Sequence, residues 1–208
     1  EDIQLLSDLD HRAYRMGIEW ARIEPEEGVF LPEELEHYVK ELSMLKERGI
    51  QTFVTLIHIS LPQWFAEKGA FQTMDNLPCF ERYLQYVLPA ISPYVDFWNI
   101  MNEFNLGLHP DALTRKFNCV LFHARGYHIV KQYSNRPVSS AHALVQYYGK
   151  RQNDPFDRAM QAYYDVVNHE FFFHAMRTGE LVVPGKDALI DKEIKNTCDF
   201  WSVNLYTR

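Results

Sequence analysis

The chain has 208 residues, 47% of them hydrophobic and 24% charged, with 21 Lys and Arg against 28 Asp and Glu for a formal net charge of −7. That is enough chain for one buried core and too apolar for a disordered segment. An acidic balance without a basic block excludes the footprint of a nucleic-acid or anionic-membrane binder, and no apolar run approaches the roughly 20 residues of a membrane span.

In chain order, residues 13–20 (AYRMGIEW) read as a first strand. Glu24-Pro25-Glu26-Glu27 is expected to be a solvated turn before Gly28. A helix follows over 33–48, where Leu35, Tyr38, Leu42 and Leu45 form an apolar stripe and Gly49 offers a C-cap. Residues 51–58 (QTFVTLIH) form the next strand. A helix begins at Pro78 and carries Phe80, Leu84, Val87 and Leu88. The strand 95–102 (VDFWNIMN) precedes a helix that starts after His109-Pro110 and runs towards Tyr133. A strand over 137–144, a helix from about Pro155 to Arg177 with Gly179 beyond it, and a strand over 198–206 complete the series.

Alternating strands and helices argue for an α/β fold with a parallel sheet and right-handed crossovers, either open and doubly wound or closed into a barrel. No Gly-rich turn follows the first strand, so the dinucleotide-binding variant loses its main support. Polar groups gather instead at the C-terminal ends of several strands: Glu19 and Arg22, His58, Asn102 and Glu103, Asn204 and Tyr206. That is the arrangement of a (β/α)8 TIM barrel. Strand starts at 13, 51, 95, 137 and 198 supply only five β/α units, and eight at this spacing take roughly 300 residues or more. Residues 1–208 therefore read as one incomplete barrel domain, an expectation that the missing initiator Met supports. The opening residues show no signal peptide. Cys79, Cys119 and Cys198 lie in no metal or redox spacing and read as reduced thiols in a cytoplasmic protein.

The sharpest chemical feature is Trp98-Asn99-Ile100-Met101-Asn102-Glu103-Phe104, an apolar strand ending in Asn-Glu. A carboxyl at a barrel mouth beside apolar walls suits a general acid, and the Asn amide suits a substrate hydroxyl. A polar pair that only caps the next loop reads the same way from sequence. His58 is open between a hydroxyl partner and a satisfied core histidine. Arg15, in the first strand on the face of Gly17 and Glu19, needs a partner that the sequence does not fix. His169-Glu170 with His174 has a spacing of five rather than the four of a zinc-protease helix, and His123 with His128 shares the defect, so neither metal nor cofactor is expected.

Taken together, these residues resemble glycoside hydrolase family 1, the β-glucosidase and β-galactosidase family. AYRMGIEWARIEP is similar to its YR…(S/E)W.RI.P signature and TLIHISLPQWFAEKGAF to its TL.H.DLP.W....GGF block. FWNIMNEF resembles W.T.NEP, and DFWSVNLYTR resembles DF.G.NYYT. The resemblance implies a barrel of which strands 2–6 are present, with the first strand and strands 7 and 8 outside the sequence. It further implies a retaining β-glycosidase in which Glu103 is the acid/base and Asn102, His58 and Asn204 bind substrate. Arg15 would face the nucleophilic carboxylate and Tyr206 would hydrogen-bond it. That nucleophile lies on the seventh strand, so the isolated chain is expected to be inactive, with Glu19 a poor stand-in. Phe104 replaces the Pro of NEP, Ile59 the residue after the His, and Ala70 one Gly of GGF. The implied partner is a β-glycoside or oligosaccharide. The rival reading is a degenerate, inactive relative that binds carbohydrate or a partner, with self-association or a complementing segment covering its open edges.

Overall fold

Residues 2–107 and 110–206 are described by a computed structural model, the side chains of Pro110 and Asp111 excepted. His109 at the expected helix start and Thr207-Arg208 of the last sequence block lie outside the described residues. The elements run α1 (Asp2–Asp8), β1 (Ala13–Gly17), α2 (Trp20–Ile23), α3 (Pro32–Glu47), β2 (Gln51–Ile57), α4 (Gln63–Glu67), α5 (Leu77–Ile91) and β3 (Phe97–Asn102). They continue with α6 (Pro110–Tyr133), β4 (Val138–Leu144), α7 (Pro155–Asp165), α8 (Phe171–Thr178), β5 (Glu180–Leu181), β6 (Leu189–Ile190) and β7 (Ser202–Leu205).

Five strands pair in parallel in the order β1-β2-β3-β4-β7, and β5 and β6 form a separate antiparallel pair. The large sheet is an incomplete barrel: β1 and β7 are its edges, and helices cover its convex side. The apolar stripe of α3 is buried as its spacing predicts, and Gly49 takes φ 69°, the left-handed end that glycine allows. Each fully buried Leu or Phe of this layer contributes about 1.5–3 kcal/mol relative to exposure. Helix α6 approaches β3 so closely that a Cβ on Gly126 would stand 3.0 Å from Ile100 Cγ2. On the concave side, Phe53 stacks on Phe97 at 5.3 Å, and Phe200 meets Phe53 edge-on at 5.6 Å. This aromatic layer floors the half-barrel.

Strands β1, β2 and β7 end earlier than their apolar runs. After Gly17 the run 13–20 turns into α2, because Trp20 swings back to stack on Tyr83 at 4.7 Å. Glu24 corrects the expected solvated turn. It is fully buried, accepts from Trp20 Nε1 at 2.7 Å and from Gly28 N at 2.8 Å, and pairs with Arg82 at 2.5 Å. A buried carboxylate persists only with such partners, and these tie the loop after β1 to α5. The expected continuous helix over 155–177 is interrupted by a π-helical turn at Val166–Glu170. That turn brings Asn168 and His169 against the ends of β3 and β4, as described next.

Candidate active site

Residues on the concave face of a strand alternate with residues facing the helices, so in a regular strand Asn102, three residues past the inward-facing Asn99, would turn toward the helices. It points inward because β3 bulges. The β3–β4 register shifts between Asn99 and Asn102, so that Ile100 and Met101 both face Ser140. The Met101 N–H freed by the bulge donates to Ser140 Oγ at 3.1 Å, and Ser140 lies 2.8 Å from His123 Nδ1. With its other nitrogen 2.8 Å from the Thr197 carbonyl, His123 holds its proton on Nε2 and accepts from Ser140. Burial holds this imidazole down to about 4, so it stays neutral.

The bulge delivers Asn102 and Glu103 into one hydrogen-bonded chain with β1 and β7. Arg15 Nη2 donates to Asn102 Oδ1 at 2.6 Å, Nη1 to Asn204 Oδ1 at 3.1 Å, and Nε to Thr55 Oγ1 at 3.1 Å. Asn204 Nδ2 donates to Asn102 Oδ1 at 3.0 Å and to Glu103 Oε1 at 2.7 Å. The Tyr206 hydroxyl donates to the same Oε1 at 2.7 Å. The partner that the sequence left open for Arg15 is thus a pair of amides and a hydroxyl, with the Glu103 charge close enough to favour the cation against the burial that lowers its pKa. The bond to Glu103 pushes the Tyr206 phenol above its ordinary range.

Glu103 itself is 8% exposed and sits at φ 52°, in the left-handed region that a glutamate rarely occupies. It walls a cavity of ≈ 290 Å³ with Ile57, Met101 and Phe104. Tyr206 walls a second, ≈ 550 Å³, with Val145, Asp165 and His169, and Arg15 a third, ≈ 440 Å³, with Gly17 and His58. Phe104, where the family pattern has Pro, packs edge-on against Phe172 at 5.3 Å and anchors the loop. Of the six residues singled out from sequence, Arg15, Asn102, Glu103, Asn204 and Tyr206 are joined by hydrogen bonds. His58 is exposed beside Gly17 and stands apart from that chain. Tyr206, expected on the second carboxylate, bonds Glu103. Glu19 takes the Ser60 hydroxyl. Among the described residues no cluster of three or more His, Cys, Asp or Glu could hold a metal.

Sequence reasoning missed Asn105 and His142 and weighed His169 only as a metal ligand; the three lie in contact in series, Asn105 against His142 and His142 against His169. His169 Nε2 lies 2.7 Å from the Val145 carbonyl and donates to it, so its Nδ1 accepts from His142 Nε2 at 3.1 Å. Burial, with His169 close by, holds His142 down to about 3. Only the Asn-x-x-Asn spacing of Asn102 and Asn105 around Glu103 hints at the first of these residues, and no local pattern points the histidines to this cluster.

The model of glycosyl hydrolase family 1 matches residues 1–208. Over 197 residues the chain is 26% identical to a 6-phospho-beta-galactosidase of Leptotrichia buccalis, covering 86% of this chain and 42% of that protein. A coniferin beta-glucosidase of Pinus contorta is 36% identical over 108 residues, 51% of this chain and 21% of that one. Among solved structures, a beta-glycosidase from Pyrococcus horikoshii superposes with a TM-score of 0.88 at 27% identity, over 99% of this chain and 51% of its own. A beta-glucosidase from Exiguobacterium marinum gives 0.86 at 24% identity, over 100% and 54%. The chain thus spans about half the length of the solved structures and less of these sequence relatives.

Proposed function

Since the chain belongs to glycosyl hydrolase family 1, we propose that the complete protein is a retaining β-glycosidase with Glu103 as general acid and then general base. The observation that carries this reading is the Glu103 carboxylate at the strand ends, fixed through Oε1 by Asn204 and Tyr206, with its other oxygen unbonded among the described residues. One oxygen held and one open is what a carboxyl needs to pass a proton to a departing glycosidic oxygen and later take one from water. Asn102, Asn204 and His58 present amide and imidazole groups to sugar hydroxyls.

A retaining reaction takes a second carboxyl about 5–5.5 Å from the first. No described carboxylate other than Glu103 bonds Arg15, Asn204 or Tyr206, so the nucleophile is supplied from outside residues 1–208 and lands on the Arg15 side of the cleft. When it arrives, Tyr206 can exchange Glu103 for it. The substrate is a β-glycoside, in keeping with the names of the relatives, and three unpaired thiols fit the cytoplasm. A second reading, partner binding without turnover, draws on the open face, where Trp201 and Leu205 are 50% and 72% exposed.

Co-expressing the chain with the remaining half of a relative's barrel and assaying a nitrophenyl β-glycoside tests the proposal. Hydrolysis with retained β configuration is expected from the pair and not from the chain alone. An inverted product, or equal turnover by the Glu103→Gln pair, refutes it.

A further inference from the structure

The left-handed turn at Glu103 has a cost for the sheet. The Glu103 N–H makes the last main-chain bond of β3, to the Ala141 carbonyl at 2.7 Å, and the chain then turns away. Ala143, two residues further along β4, is left facing β3 with its N–H and carbonyl both buried and no strand opposite them. The Asn105 side chain fills that place. Its Oδ1 accepts from Ala143 N at 3.0 Å, and its Nδ2 donates to the Ala143 carbonyl at 2.8 Å. This is an amide-to-peptide pair with the hydrogen bonds of one more strand residue. The second Nδ2 proton goes to the Asn168 carbonyl of the π-helical turn at 2.8 Å, so the 3.1 Å approach to His142 Nε2 is contact between two donors. At 1% exposure Asn105 has no water to replace these bonds.

Ala143 is also the register partner of Asn204, and Leu144 accepts from the Tyr206 N–H at 3.0 Å. Two adjacent strand residues therefore carry the Asn105 clamp on one flank, at Ala143, and hold the strand bearing the donors to Glu103 on the other, at Ala143 and Leu144. We propose that Asn105 is a positioning residue for Glu103: its side-chain amide extends the β3–β4 ladder past the left-handed turn and fixes the carboxylate against Asn204 and Tyr206. The catalytic consequence rests on the acid/base reading above, but the positioning does not.

The test uses the 208-residue chain and needs no turnover. Amide exchange at Ala143 reports the clamp, and the titration of Tyr206, followed by NMR of its ζ carbon, reports the Glu103 contact. A Glu103→Gln chain sets the titration expected when that contact loses its charge. In Asn105→Ala, Ala143 is expected to exchange about tenfold faster or more, and Tyr206 to titrate lower, towards the Glu103→Gln value. Faster exchange with an unmoved Tyr206 titration overturns the proposal, because Asn105 would then satisfy the strand without placing Glu103. So does unchanged exchange. Should Asn105→Ala not fold, Asn105→Asp keeps the size and the acceptor for Ala143 N–H while losing the amide donors, and the same two readouts decide. Failure of these leaves the role of Glu103 untouched, since that role is tested by Glu103→Gln turnover in the paired barrel.

Discussion

Acidification from pH 7.5 to pH 5 is expected to remove about 4 kcal/mol of stability through two imidazoles, His123 and His142. Both are buried and neutral in the fold, with pKa values lowered to about 4 and about 3. In the unfolded chain each returns to about 6.5. The unfolded state therefore binds protons first as pH falls, so the stabilisation is complete above pH 6.5 and is lost between there and the folded values. At pH 5 this amounts to about 2 kcal/mol per histidine. Both rings are held by fixed neighbours. His123 spends one nitrogen on the Ser140 hydroxyl and the other on the Thr197 carbonyl. Among the described residues His142 Nδ1 has no partner, while His169 lies 3.1 Å from its other nitrogen and Lys116 opposes a second positive charge. Urea titrations at pH 7.5, 6 and 5 read the loss directly. By heating, it is a fall of roughly 10 °C for a domain of this size. His123→Gln and His142→Gln each start from lower stability but lose about half of the pH slope. If either variant keeps the full slope of the parent, that imidazole is not its source and the buried-neutral assignment is wrong.

Glu24→Ala should destabilise the chain by about 3 kcal/mol in the same titration, because it strips Arg82, Trp20 and Gly28 of a common acceptor; a cost below 0.5 kcal/mol would restore the solvated turn. Gly126→Ala should lower stability by about 1–3 kcal/mol despite alanine's helix preference, since its Cβ meets Ile100 at 3.0 Å and Phe80 at 3.3 Å. Tyr206→Phe in the paired barrel should lower kcat about tenfold or more with little change in KM, as it removes a donor to the carboxylate and no sugar contact. The isolated chain should self-associate through its open face, and a concentration-independent monomer in sedimentation would count against that.

The order of elements could be read from periodicity because each strand is a short apolar run and each helix buries one stripe; Leu35, Tyr38, Leu42 and Leu45 are the clearest case. Residues that work through the main chain could not. The bulge in β3 that turns Asn102 inward, and the Ser140 and His123 that support it, leave no mark on the residue pattern. Glu24 looks solvated in a run of acids, and its balancing charge comes from Arg82 of α5, distant in sequence. The break at Val166–Glu170 hides inside a helical pattern because a π turn adds one residue without a proline or glycine to mark it. The cluster of Arg15, Asn102, Glu103, Asn204 and Tyr206 was within reach because each ends a strand or lines its concave face. Asn105 was not, since its role depends on where Glu103 leaves the sheet.

The central claim, that Glu103 is the acid/base, is tested most directly by leaving-group dependence in the paired barrel. A missing proton donor hurts most where the departing oxygen is basic. Glu103→Gln is expected to slow cleavage of an alkyl β-glycoside by about 100-fold or more and that of a dinitrophenyl β-glycoside far less. An equal loss on both substrates, or none on the alkyl glycoside, would contradict the account.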